Sequence, residues 1–209
     1  MIAASLIVFL SANAMADGER WQADPSTGCL MWNSHPRPTD VFTWSGSCSN
    51  GYAEGRGTST WSYVDDHGRK VEYVFEVNMK GGRIVGNGIV HYPDGSVYEG
   101  ELKDGLPHGR GSYTFGKHTS NSGDRFVGAF VQGRIGKDGR YTSSDGSSYS
   151  GAFVDGLPEG HGRQIFANGR TFEGPFRKGM AHGKGICSDE DHDRRRCQYR
   201  LGRFAGWLL

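Results

Sequence analysis

Tyr98–Phe115 reads YEGELKDGLPHGRGSYTF. An aromatic opens the stretch, Gly100 follows two residues on, Gly105 five beyond that, then Gly109 and Gly111. The spacing returns at Tyr149 (YSGAFVDGLPEGHG) and at Phe172 (FEGPFRKGMAHGKG). Working outward, six units align, with first positions Trp44, Phe75, Tyr98, Phe126, Tyr149 and Phe172. The intervals are 31, 23, 28, 23 and 23, so two joints carry insertions. Position five holds Cys48, Met79, Leu102, Phe130, Phe153 and Phe176, and positions eight and fourteen are glycine in every unit. Val77 at position three and Lys137 at position twelve stand where the other units have glycine. A fixed period in this range is the signature of a repeat array.

Side chains alternate along a strand, so positions one, three and five of YEGEL share a face that reads aromatic, bare, apolar. Gly105 supplies a positive φ for the turn, and the return strand puts Gly111, Tyr113 and Phe115 back on that face. Each unit is thus a β-hairpin whose glycines leave bare backbone for a neighbouring ring. One hairpin is too small to be stable alone, but stacked hairpins bury a continuous stripe. The expected fold is all-β: an elongated, twisted, single-layer antiparallel meander of about six hairpins with a short cap at each end.

The pattern aromatic-x-Gly-x-apolar-x-x-Gly-x-x-x-Gly-x-Gly resembles the MORN repeat, and the resemblance covers residues 44–187. The stretch Trp44–Cys48 (WSGSC) is similar to the cysteine-bearing opening of exported bacterial MORN proteins. The resemblance implies protein–protein contact, homodimerisation or contact with membrane lipid. The aromatic stripe (Trp44, Phe75, Tyr98, Phe126, Tyr149 and Phe172, with Phe130, Phe153 and Phe176 beside it) is read first as a packing core. Its open part is read as the face that holds a protein or an extended peptide.

Composition agrees with an array. Glycine accounts for 34 of 209 residues, and 25 of these fall at repeat or turn positions, so the excess is architectural rather than a mark of disorder. Lys+Arg is 24 against Asp+Glu 23, which gives no nucleic-acid footprint. Residues 1–16, MIAASLIVFLSANAMA, read as a signal peptide cut after Ala16, although no Lys or Arg precedes the apolar run. The expected location is therefore periplasmic or secreted.

Four cysteines flank the array in two pairs, 19 and 10 residues apart. They admit three pairings, of which Cys29–Cys48 with Cys187–Cys197 needs no long reach. Residues 17–43 form an N-terminal cap in which the 29–32 strand is expected to pair with 42–48. Residues 188–209 form a C-terminal cap or docking tail, opened by the charged loop SDEDHDRRR at 188–196. The 61–73 joint reads as an elongated hairpin and the 116–125 joint as a mobile loop.

Motifs with chemistry are scarce. Gly179–Gly185 lacks the gap and the Ser/Thr of a phosphate loop, and the eight histidines show no metal-ligand spacing. The acidic run at 189–193 lacks the spacing of a calcium loop. The expected function is non-enzymatic: an exported scaffold for a protein or peptide of the cell envelope, with no catalytic, metal or cofactor residues. The alternatives are a peripheral membrane protein, for which Arg194–Arg196 and the Trp207–Leu209 tail are the candidate surface, and an envelope glycan-binding protein or enzyme.

Overall fold

The computed structural model describes residues 20–188 and 193–208. The leader read at 1–16 and residues 189–192 of the charged run lie outside them. The strands are β1 (Trp21–Ala23), β2 (Leu30–Trp32), β3 (Val41–Trp44), β4 (Ser47–Ser49), β5 (Tyr52–Val64) and β6 (Lys70–Lys80). Next come β7 (Arg83–His91), β8 (Val97–Lys103), β9 (Leu106–Thr114), β10 (Arg125–Val131), β11 (Arg134–Thr142) and β12 (Ser148–Val154). The chain continues through β13 (Leu157–Ile165), β14 (Thr171–Arg177), β15 (Met180–Ala181), β16 (Gly183–Ser188), β17 (Arg194–Arg200) and β18 (Arg203–Trp207). From β5 onward each strand pairs antiparallel with the next, β15 and β16 together partnering β14, so the array is one open meander.

Two kinds of turn alternate along it. Within each unit the loop is two residues long, as at Asp104-Gly105, where both φ angles are positive (52° and 77°). That is the turn whose twist matches a hairpin, and it demands glycine at position eight because a Cβ is strained there. Between units the loops are longer, as at Tyr92–Ser96, closed by Tyr92 N–H to the Ser96 carbonyl at 2.9 Å. The tight turns also tie unit to unit: Gly133 N–H donates to the Pro107 carbonyl and Gly179 N–H to the Pro158 carbonyl, both at 2.9 Å.

The glycines do what the spacing implies, with one refinement. The ring over the bare backbone comes from the same unit. A Cβ on Gly162 would lie 2.3 Å from the Tyr149 hydroxyl oxygen, and one on Gly139 2.4 Å from the Phe126 ring. Each first-position ring thus lies across glycines of its own strand and of the strand paired with it. Unit two departs for a visible reason. Val77 stands at position three, and the space above Gly88 is filled by Val77 and Leu102 instead of a ring.

Both ends are closed by disulfides, Cys29–Cys48 and Cys187–Cys197, each with Cα atoms 5.8 Å apart. Each bridge contributes about 2–4 kcal/mol. The N-terminal arrangement differs from the expected one. β3 and β4 occupy the edge of β5, so β2 does not pair with 42–48. It pairs with β1 on one side and meets β5 in parallel at Leu30–Tyr52 on the other.

Asp24 locks this cap to the array. Burial opposes its ionisation, but the Ser26 hydroxyl and the N–H groups of Thr27, Trp44 and Ser26 donate to the carboxylate and hold its pKa well below the ordinary range. A carboxylate with a depressed native pKa stabilises above its unfolded value and loses that contribution as pH falls through the acid range below about 4. The stability of the wild type, followed by tryptophan fluorescence in denaturant, should therefore fall steeply as pH drops below about 4. Asp24→Asn should flatten the slope below that pH, and an unchanged slope removes the role.

The C-terminal segment also departs from the reading. Arg194–Arg196 are not loop residues but open β17, paired with Ser188, Cys187 and Ile186. With Leu201-Gly202 as another two-residue turn at positive φ, β17 and β18 form a seventh hairpin. Arg195 lies 23 residues after Phe172, Cys197 takes position three, Tyr199 position five and Gly202 position eight. The 28-residue joint is held down as well. Asp124 accepts from the Tyr141 hydroxyl and from Ser144 N–H (2.8 Å), and Asn121 donates to Tyr141 Oη at 2.8 Å.

Candidate functional site

The nine rings of the stripe are all buried, none more than 7% exposed. They pack edge-on or tilted along the array. Tyr98 meets Phe130 (centroids 5.0 Å), Phe126 meets Phe153 (5.2 Å), Tyr149 meets Phe176 (4.6 Å) and Phe172 meets Tyr199 (4.7 Å). The first-position ring of one unit thus touches the fifth-position ring of the next, a contact worth about 0.5–1.5 kcal/mol beyond area burial. Where that first ring is tyrosine its hydroxyl also finds a partner: Tyr149 Oη–H donates to the Ala152 carbonyl at 2.9 Å, and burial pushes the phenol up to about 12. These rings form the core, so the surface a partner can touch lies beside them.

Two such surfaces remain. The first is the outer face, where alternation sends every second side chain. The paired series Val127, Arg140, Ser150 and Arg163 crosses β10 to β13 in register, and all four are exposed. The second is the edge formed by the tight turns. Exposed cations dominate it: Lys103, Arg134, Lys178 and Arg203, against Asp104 and Asp155.

The N-terminal cap already sits on part of this edge. Leu30 N–H donates to the Gly51 carbonyl and Trp32 N–H to the Gly82 carbonyl, both at 2.8 Å. Ser34 Oγ–H donates to the Asp104 carbonyl at 2.7 Å, which leaves Ser34 Oγ to accept from His35 Nδ1 at 2.9 Å. Two successive tight turns are therefore met by backbone N–H groups two residues apart, and the third by a side-chain hydroxyl. The fit is close at Gly82, where a Cβ would lie 2.5 Å from the Leu30 carbonyl oxygen. Arg83 is held 3.9 Å from the centre of the Trp32 ring, which pins the segment from outside. Met31 points the other way, into a cavity of about 70 Å³ against Phe75, Met79 and Trp61.

Beyond His35 the segment turns away at Pro36, and the edge opens into a cleft. Leu106, His108, Val131, Arg134 and Ile135 line it. His108 Nδ1 is buried there with no hydrogen-bond partner among the described residues. Burial, and then Arg20, push the His35 pKa below the ordinary imidazole value.

The sequence reading missed two elements that shape these surfaces. One is the seventh hairpin, legible from Gly202 and the 23-residue step to Arg195. The other is a second aromatic row, in which Trp61 stacks on Phe42 and Tyr73 and Tyr73 meets Tyr92. It follows from the two-residue step beyond the stripe on the same face.

Five segments of the chain, 41–62, 78–97, 98–125, 149–169 and 172–194, match the MORN repeat family. Alsin of Rattus norvegicus is 30% identical over 120 residues, and Alsin of Homo sapiens is 29% identical over 120 residues. The matched stretch is 57% of this chain and 7% of those proteins, so the chain spans a small fraction of the curated relatives it matches.

Proposed function

The chain belongs to the MORN-repeat family, and on that premise we propose that it is a non-enzymatic, exported interaction module that holds a protein or peptide of the cell envelope. The observation that carries the reading is the division of the sheet. Its rings are spent on the core, while the outer face and the tight-turn edge present exposed side chains at a fixed spacing. Such a surface suits recognition of an extended partner, since the spacing of contacts is built into the backbone. Two disulfides fit an oxidising compartment, as does the leader read at 1–16.

The test is site-specific photo-crosslinking in cells, with the reactive group placed at Ser150 on the outer face or at Gln132 on the turn edge. One defined envelope protein should appear at one or both positions, and its loss should reproduce the effect of losing this chain. Recovery of nothing at either position, or turnover of an envelope glycan by the purified protein, sinks the reading. Intact mass before and after reduction checks compartment, with two bridges and a start at Asp17 expected.

One observation favours a second reading, contact with a membrane surface. Phe204 and Trp207 are exposed on β18, and the Arg195 guanidinium lies 4.3 Å from the centre of the Trp207 ring. Apolar rings beside cations suit an anionic interface. Flotation with anionic vesicles, comparing wild type with Phe204→Ser/Trp207→Ser, decides it; if neither floats, membrane contact is dropped.

A further inference from the structure

We propose that the tight-turn edge is the docking track of the array and that its occupant is an extended, acidic peptide segment of another protein. The inference rests on the interaction-module reading above and gives it a site and a partner chemistry. The chain displays the binding mode on itself at the first two tight turns, where the Leu30 and Trp32 N–H groups donate to the Gly51 and Gly82 carbonyls, and it reaches the third through the Ser34 hydroxyl on the Asp104 carbonyl. The same turn recurs at Gln132-Gly133, Asp155-Gly156, Lys178-Gly179 and Leu201-Gly202. There the glycine carbonyls accept no hydrogen bond among the described residues. Four further glycine carbonyls in the same turn type thus stand where Gly51 and Gly82 accept from the cap.

An extended peptide satisfies such a row, because its N–H groups recur on one side every second residue. Its alternate side chains would enter the cleft between Leu106, Val131 and Ile135. The charge of the edge selects the peptide. Lys103, Arg134, Lys178 and Arg203 outnumber Asp104 and Asp155, so acidic residues are favoured and basic ones repelled. The cap itself stops short of this stretch, as Pro36 and Pro38 end its extended run.

The experiment uses the full chain with its disulfides intact. Two pools of short synthetic peptides, alternating apolar residues with either Glu or Lys, are titrated by fluorescence anisotropy. The Glu pool should bind at least about tenfold more tightly. Arg134→Glu/Lys178→Glu, both exposed and outside the core, should erase or invert that preference while leaving the thermal midpoint unchanged. Amide shifts on binding should cluster at Gln132–Gly133 and Asp155–Gly156. Equal binding of the pools, a preference that survives the charge reversal, or shifts confined to Arg140 and Arg163 overturns the proposal. A partner crosslinked at Ser150 but never at Gln132 rejects this edge while keeping the interaction module; failure at both rejects the two together.

Discussion

Gly151→Val should destabilise the protein by more than about 3 kcal/mol, toward the upper end for a single overpacking change. A Cβ at Gly151 would lie 2.6 Å from the Tyr149 hydroxyl oxygen, 2.7 Å from the Gly162 Cα and 2.8 Å from the His161 carbonyl oxygen. Two of those atoms are backbone of the paired strand β13. They can give way only by breaking the Gly151–Gly162 pairing, and φ at Gly151 (152°) adds strain for a branched residue. The control is Ser150→Val, one residue along and exposed on the other face, expected within about 0.5 kcal/mol of wild type. Urea unfolding of both variants with disulfides intact gives the answer. Similar midpoints would falsify the seating of the Tyr149 ring over bare backbone.

Phe153→Ala comes next, with an expected loss of about 3–5 kcal/mol. The ring is 2% exposed and touches Tyr149 of its own unit (5.1 Å) and Phe126 of the preceding one (5.2 Å). Its removal opens a cavity at a joint between units, where an array depends on nearest-neighbour coupling. The transition should therefore broaden, with a smaller slope against denaturant, as the two halves separate. Val154→Ala, next in sequence but 55% exposed, should leave both midpoint and slope nearly unchanged. A sharp transition in Phe153→Ala would show that coupling runs through the backbone ladder instead of the rings.

Both predictions can be framed from a period and a set of glycines, which shows how much was legible. Turn type follows from Gly105 and its equivalents, since only glycine accepts that φ at no cost. The bare face follows from Gly151 and Gly162 at positions three and fourteen. The candidate surface was much less legible. The stripe residues were visible as one face, but whether Phe126 or Tyr149 stays open to a partner depends on how tightly successive units close over them. No local pattern states that distance. Nor does any local pattern say that Leu30 and Trp32 hydrogen-bond to Gly51 and Gly82, since that contact joins a cap to turns as many as fifty residues away.

The order of residues by itself set the hairpins, their phase and the glycines beneath each ring, because these are contacts within one repeat and the repeat is written out in full each time. Only the tertiary structure decided that no ring of the stripe stays open to a partner, that Val77 and Leu102 fill the space above Gly88, and that the cap takes the first turns of the tight-turn edge. The physical reason is range. Backbone conformation and side-chain alternation are fixed by neighbours along the chain, whereas burial is fixed by how closely the next unit packs against each ring.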